Sequence, residues 1–141
     1  MYRKILVALD NSPTDGALVP HITELAKLHG SELLLVHVAD GFAARNFDQL
    51  KLTESDEMKA DRAYLDQAAE KMKAGGLAVE TTLELGDPAS RILAVAKERS
   101  CDLIAMTTHG HRLLGDILRG STINEVRHLA EIPVLLVRAP K

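Results

Sequence analysis

Tryptophan is absent from the 141 residues, and two tyrosines with two phenylalanines bring the aromatic share to only 3%. So few flat rings leave little on which successive nucleic-acid bases could stack. Surplus positive charge is missing too. Lys and Arg number 17 against 20 Asp and Glu, a net of −3, so no basic field exists to neutralise a phosphate backbone. Together these deficits argue against nucleic acid as the partner. The lone cysteine, Cys101, cannot close an internal disulfide, which fits a reducing cytoplasm and a structural thiol beside a buried strand. The longest apolar runs, Ile5–Leu9 and Leu33–Val36, fall far short of the ~20 residues that span a bilayer. Met1-Tyr2-Arg3-Lys4 leads directly into a strand-like segment, so neither an export signal nor a membrane segment is expected.

What is present is ordinary globular composition, 46% apolar and 26% charged, over a length that suits one domain covering residues 1–141. Short β-rich runs alternate with longer helical patterns. The strand candidates are Arg3–Leu9, Glu32–Val38, Leu77–Glu84, Asp102–Thr107 and Ile132–Arg138. Most are continuous apolar runs, as strands covered on both faces require, whereas Ala78–Leu83 partly alternates and belongs nearer an edge.

Four helical patterns lie between the strands. The first, Thr14–His29, stops at Gly30, and Pro20 inside it predicts a late start near Gly16 or a kink. The second, Thr53–Ala74, opens on a Thr53-x-x-Asp56 capping pattern. The third has Asp87 as N-cap with Pro88 at the first helical position, and the fourth follows Gly120-Ser121. Right-handed crossovers turn this string into an α/β fold: a single doubly wound domain with a five-stranded parallel sheet of order 3-2-1-4-5 and helices on both faces. Its topological switch point lies between strands one and four.

Ligands of doubly wound folds sit outside the carboxyl ends of the strands at that point, which directs attention to Ala8–Ser12 and Met106–Gly110. The second segment runs through a polar loop into Gly120-Ser121-Thr122 at a helix start. Free amides, two hydroxyls and a residue without Cβ there suit either a phosphate cradle or a simple N-cap at Ser121. Other residues point to chemistry only weakly. His109-x-His111 offers two imidazoles with no evident third ligand, so no metal site is expected. Asp10 and His109 form a conceivable acid–base pair, yet no nucleophile–base signature and no Walker pattern are present, so no catalytic residue is assigned. His37, ending an apolar strand, reads as a hydrogen-bonded core histidine. His21, His29 and His128 read as helix-surface residues.

Three stretches, Lys4–Ser12, Leu34–Val38 and Thr108-His109-Gly110 followed by nine residues, Gly120-Ser121 and Ile132–Val137, resemble the universal stress protein family over essentially the whole chain. Its ATP-binding branch carries G-x2-G-x9-G-[ST]; Gly110, Gly120 and Ser121 match, while Thr107 stands at the first glycine position. The resemblance implies Asp10 near a ribose, with Ala8, Leu9 and Val38 lining the adenine. It places Met106 and Thr107 at the nucleoside, His109 in a loop nearby, and Gly110, Gly120, Ser121 and Thr122 around the phosphates. Asp116 puts a negative charge in the phosphate loop, offset by Arg112 and Arg119. The function implied is a cytoplasmic stress-response regulator that binds ATP or a related adenine nucleotide, with Mg²⁺, without efficient turnover. The alternatives are a dimeric interaction module without nucleotide and a slow nucleotide hydrolase. A homodimer through the apolar Ile132–Val137 strand is also implied, and an unidentified protein partner is compatible with this role.

Overall fold

A computed structural model describes residues 1–39, 56–108 and 120–139. In chain order these form β1 (Lys4–Ala8), α1 (Asp15–His29), β2 (Glu32–Ala39), α2 (Asp56–Ala74), β3 (Ala78–Leu85), α3 (Pro88–Glu98), β4 (Leu103–Thr108), α4 (Gly120–Leu129) and β5 (Val134–Arg138). The sheet order is β3-β2-β1-β4-β5 and each adjacent pair is parallel, as the alternating pattern predicts.

Alternation along the central strands divides the core into two. Ile5, Val7, Leu33, Leu35, Leu103 and Ala105 pack against Leu18, Ile22 and Ala26 of α1 and Leu65, Ala69 and Met72 of α2. The opposite row, including Leu6, Val36, Ile104 and Met106, meets Ile92 and Val95 of α3 and Ile123 and Val126 of α4. Burial on both faces explains why these strands read as unbroken apolar runs. The partly polar β3 takes one edge and β5 the other.

Local chemistry sets the ends of these elements. Gly30 adopts the left-handed conformation at φ 67°, and its N–H donates to the Ala26 carbonyl, closing α1. Pro20 is accommodated on the exposed side of that helix, which begins at Asp15, one residue before the predicted late start. The N–H groups of Asp15, Gly16 and Ala17 donate to the carbonyls of Ser12, Pro13 and Thr14, so the first turn is wound in the tight i→i−3 manner. Asp87 accepts from the Ser90 N–H at 3.0 Å, with Pro88 opening α3 as predicted. β5 begins two residues later than predicted. Pro133 has no N–H to give to a ladder, although its carbonyl accepts from Ile104 at 3.1 Å. Thr53 lies outside the described residues.

At the opposite end of the sheet, Asp102 fastens β1 to the turn before β4: its carboxylate accepts the N–H groups of Arg3 at 2.9 Å and Lys4 at 3.1 Å. Cys101 beside it is buried, and burial pushes its thiol pKa up, which keeps it protonated and unreactive. His21 and His128 are exposed and His29 is half-buried edge-on to Tyr2. No helix among the described residues is long and apolar enough to cross a membrane.

Candidate functional site

Because the strands are parallel, the carboxyl ends of β1, β2 and β4 emerge along one edge. α1 packs on the Ile5–Val7 face and α4 on the Leu6–Met106 face, so the helices that follow β1 and β4 lie on opposite sides of the sheet, the arrangement of a topological switch point, outside which such folds seat ligands.

The residues predicted for this region fall into three groups. Ala8, Leu9, Asp10, Val38, Met106 and Thr107 all sit near those strand ends, and each is buried. Gly120 opens α4, followed by exposed Ser121 and buried Thr122. His109 and Gly110 lie outside the described residues, as do His111, Arg112, Asp116 and Arg119. Thr107 shares its face with Leu103 and Ala105, which belong to the α1 and α2 side of the core, whereas Met106 points to the α4 side. The Thr107 side chain is 0% exposed, and its hydroxyl has no hydrogen-bond partner among the described residues.

Around Asp10 the structure reveals a buried polar network that extends well beyond the predicted residues. Asn11 takes a left-handed backbone conformation, φ 56°, which bends the chain away from β1. The N–H of Asp10 donates to both Asp15 carboxylate oxygens, at 3.0 and 3.2 Å, and that of Asn11 to one of them at 2.9 Å. Tyr64, reaching across from α2, gives its phenol proton to the same carboxylate at 2.6 Å. Ser12 donates to Asp10 at 3.1 Å and bonds the Thr14 hydroxyl at 2.8 Å. Burial, together with the anionic Asp15 and Asp10, drives the Tyr64 pKa well above the ordinary phenol range, so it remains a donor.

His37 is indeed a core histidine, and its surroundings define its charge. Nδ1 is 2.9 Å from the Leu9 carbonyl, a partner that can only accept, so this nitrogen must carry a proton. Nε2 is 3.2 Å from Asp61 Oδ2, an ion-pair contact without the alignment of a hydrogen bond. Both neighbours favour the doubly protonated imidazolium. Burial lowers the His37 pKa, but the Asp61 carboxylate, the Leu9 carbonyl and the charge of Asp10 outweigh it and the net displacement is upward. For Asp61, burial acts upward, yet contacts with His37 and the Asn11 amide, which donates to Oδ1 at 2.7 Å, bring its carboxyl below its ordinary range.

Asn11, Asp15, Asp61 and Tyr64 were not singled out from the sequence, although two of them leave a trace there. Asp15 precedes Leu18, Ile22 and Ala26, and Asp61 falls among Met58, Leu65, Ala69 and Met72. Both carboxylates thus occupy the apolar stripe of an amphipathic helix, where an unpaired charge would be costly.

Comparison with known proteins places this geometry. The universal stress protein family model matches residues 1–138. The chain belongs to the universal stress protein family. Among its relatives, universal stress protein YxiE of Bacillus subtilis is 30% identical, over 98% of this chain and 100% of its own. Universal stress protein MJ0577 of Methanocaldococcus jannaschii is 28% identical over 98% of this chain and 96% of its own. The solved structure of MJ0577 superimposes with a TM-score of 0.80 at 26% identity, covering 100% of this chain and 99% of that one. A universal stress protein from Archaeoglobus fulgidus, solved in complex with dAMP, shares the fold with a TM-score of 0.72 at 22% identity, over 96% of this chain and 98% of that one.

Proposed function

We propose that this universal stress protein is a cytoplasmic regulator that binds an adenine nucleotide, ATP with Mg²⁺, in the crevice outside β1 and β4, and does so without efficient turnover. The observation that carries this reading is the gathering of Ala8, Leu9, Asp10, Val38, Met106 and Thr107 at adjacent strand ends, with Gly120–Thr122 at the start of α4. These residues suit such a ligand. Buried apolar groups can line a base, a carboxylate can accept from ribose hydroxyls, and the first-turn amides of α4 can receive phosphate oxygens. His109 and Gly110 belong to the same proposed site through the sequence pattern. The dAMP complex of the Archaeoglobus protein makes adenine nucleotides the class to test first.

The test is calorimetric titration with ATP, ADP and AMP in the presence of Mg²⁺, alongside chromatography of whatever nucleotide is released on denaturing the purified protein. Asp10→Ala is expected to weaken binding by about 1.5–3 kcal/mol, as loss of a hydrogen bond to a charged group. Gly120→Val, by adding bulk where phosphates approach, is expected to weaken it further. A second reading, an interaction module without nucleotide, is favoured by the branched Thr107 side chain. It prevails if no nucleotide co-purifies and no binding heat is measured.

A further inference from the structure

The residues flanking Asp10 are each tied to a different element, and the two ties meet. Leu9, immediately before it, is held by β2 from both sides of its peptide: its N–H donates to Val36 at 2.8 Å and its carbonyl faces His37 Nδ1 at 2.9 Å. Asn11, immediately after it, is held by α2 through the 2.7 Å bond from its side-chain amide to Asp61 Oδ1. The ring closes where Asp61 Oδ2 meets His37 Nε2 at 3.2 Å. Leu9, Asp10, Asn11, Asp61 and His37 therefore form a loop of contacts with the crevice carboxylate set in its rim. This loop uses every polar atom of His37 and both carboxylate oxygens of Asp61.

We propose that His37 and Asp61 are positioning residues of the nucleotide site: an imidazolium on β2, clamped between the Leu9 carbonyl and the Asp61 carboxylate, fixes the Asp10 turn, so nucleotide affinity follows the protonation of His37. The proposal rests on the nucleotide reading above. When the imidazole is neutral, the proton on Nδ1 stays with Leu9, and the bare Nε2 lone pair faces the Asp61 carboxylate. Attraction becomes repulsion and the ring opens at that contact. Asp61 then no longer holds Asn11 against β1, and the left-handed turn beside Asp10 loses its direct tie to α2 while its Asp15 bonds to α1 remain. The ionisable groups that act on the imidazole are Asp61 of α2, in contact with Nε2, and Asp10 at the end of β1. β3 contributes apolar Leu83, in register with His37. Both carboxylates favour the cation, which is consistent with the upward displacement of its pKa.

The decisive experiment measures ATP affinity by calorimetry from pH 6 to 9 while NMR follows the His37 ring proton and the Asp10 and Asn11 amides in the same protein. Affinity is expected to fall about three- to tenfold as His37 loses its proton, the size produced by half to one unit of linked pKa displacement. Both amides should shift with the same midpoint. In Asp61→Asn, which keeps a partner for Asn11 but not the charge, that midpoint should move to lower pH in both measurements; the ionisation of ATP itself is common to both proteins. Asn11→Gly, which tolerates the left-handed backbone, should bind ATP more weakly and show only the pH dependence of ATP itself while His37 still titrates. Affinity that stays constant across the His37 titration, or amides that ignore it, overturns the proposal. Wild-type protein that binds no ATP at any pH overturns the nucleotide reading instead, a result recognisable because the Asp10 and Asn11 amides would still follow His37.

Discussion

Thr107 brings a hydroxyl into a wholly buried place where its oxygen has no hydrogen-bond partner among the described residues. Mutational data put the burial of an unbonded hydroxyl at about 1–3 kcal/mol. Thr107→Val keeps the branched shape and removes that oxygen, so we expect it to raise stability by about 1 kcal/mol, read as a higher midpoint in urea unfolding. A lower midpoint would show that the hydroxyl has a partner in solution. For the ion pair, the two members act at opposite ends of the pH scale. The folded-state pKa of His37 lies above 6.5, so its contribution is complete below that value and disappears as pH rises through the folded pKa. Asp61 is depressed below 3.8, so its contribution is complete above that value and is lost as pH falls through the folded pKa. The urea midpoint should therefore decline on both sides of a plateau, and Asp61→Asn should shrink both limbs, the acid one keeping what Glu84, likewise held below its ordinary range by Thr82 and Arg91, contributes. Equal profiles in the two proteins would mean that the pair contributes nothing.

Elements were legible from the sequence to the extent that their ends are written in local chemistry. Asp87-Pro88 and Gly30 specify backbone conformations by themselves, so α3 starts and α1 stops where expected. What a sequence does not state is which residue of α2 faces which residue of β2, because that depends on how the helix docks after both have formed. Asp61 and Tyr64 became part of the site only through this docking, whereas Asp10 and Gly120 could be read from strand-end and helix-start position alone. β5 presents the element with the clearest remaining consequence. Val134, Leu135, Leu136 and Val137 are each only half-buried at the margin of the sheet, and an apolar edge of this kind is a template for another strand. We expect two copies to pair there. Leu135→Lys should shift sedimentation at micromolar concentration from dimer towards monomer, while a wild-type monomer at high micromolar concentration would contradict the pairing.

At the scale of the molecule, the parallel order β3-β2-β1-β4-β5 was readable because crossovers between parallel strands as a rule share one handedness, and the position of the proposed site follows from that order. A ligand seated there touches segments from both halves of the chain and should stabilise the fold as a unit. At a hundredfold excess over Kd the gain is about 2.7 kcal/mol, so ATP should raise Tm by several degrees in proportion to its logarithmic concentration. A Tm indifferent to ATP would place the nucleotide elsewhere or nowhere. The Asp102 clamp at the far end of the sheet carries a different message. It joins Arg3 and Lys4 to a residue almost a hundred positions downstream, and it sits beside β4, which pairs with the second side of β1. On the ribosome, β1, β2 and β3 emerge early, but the most central strand must wait with one edge open until β4 follows. Synthesis therefore passes through a stage in which the future middle of the sheet is its margin, and that interval is when the nascent chain is most in need of protection from its neighbours.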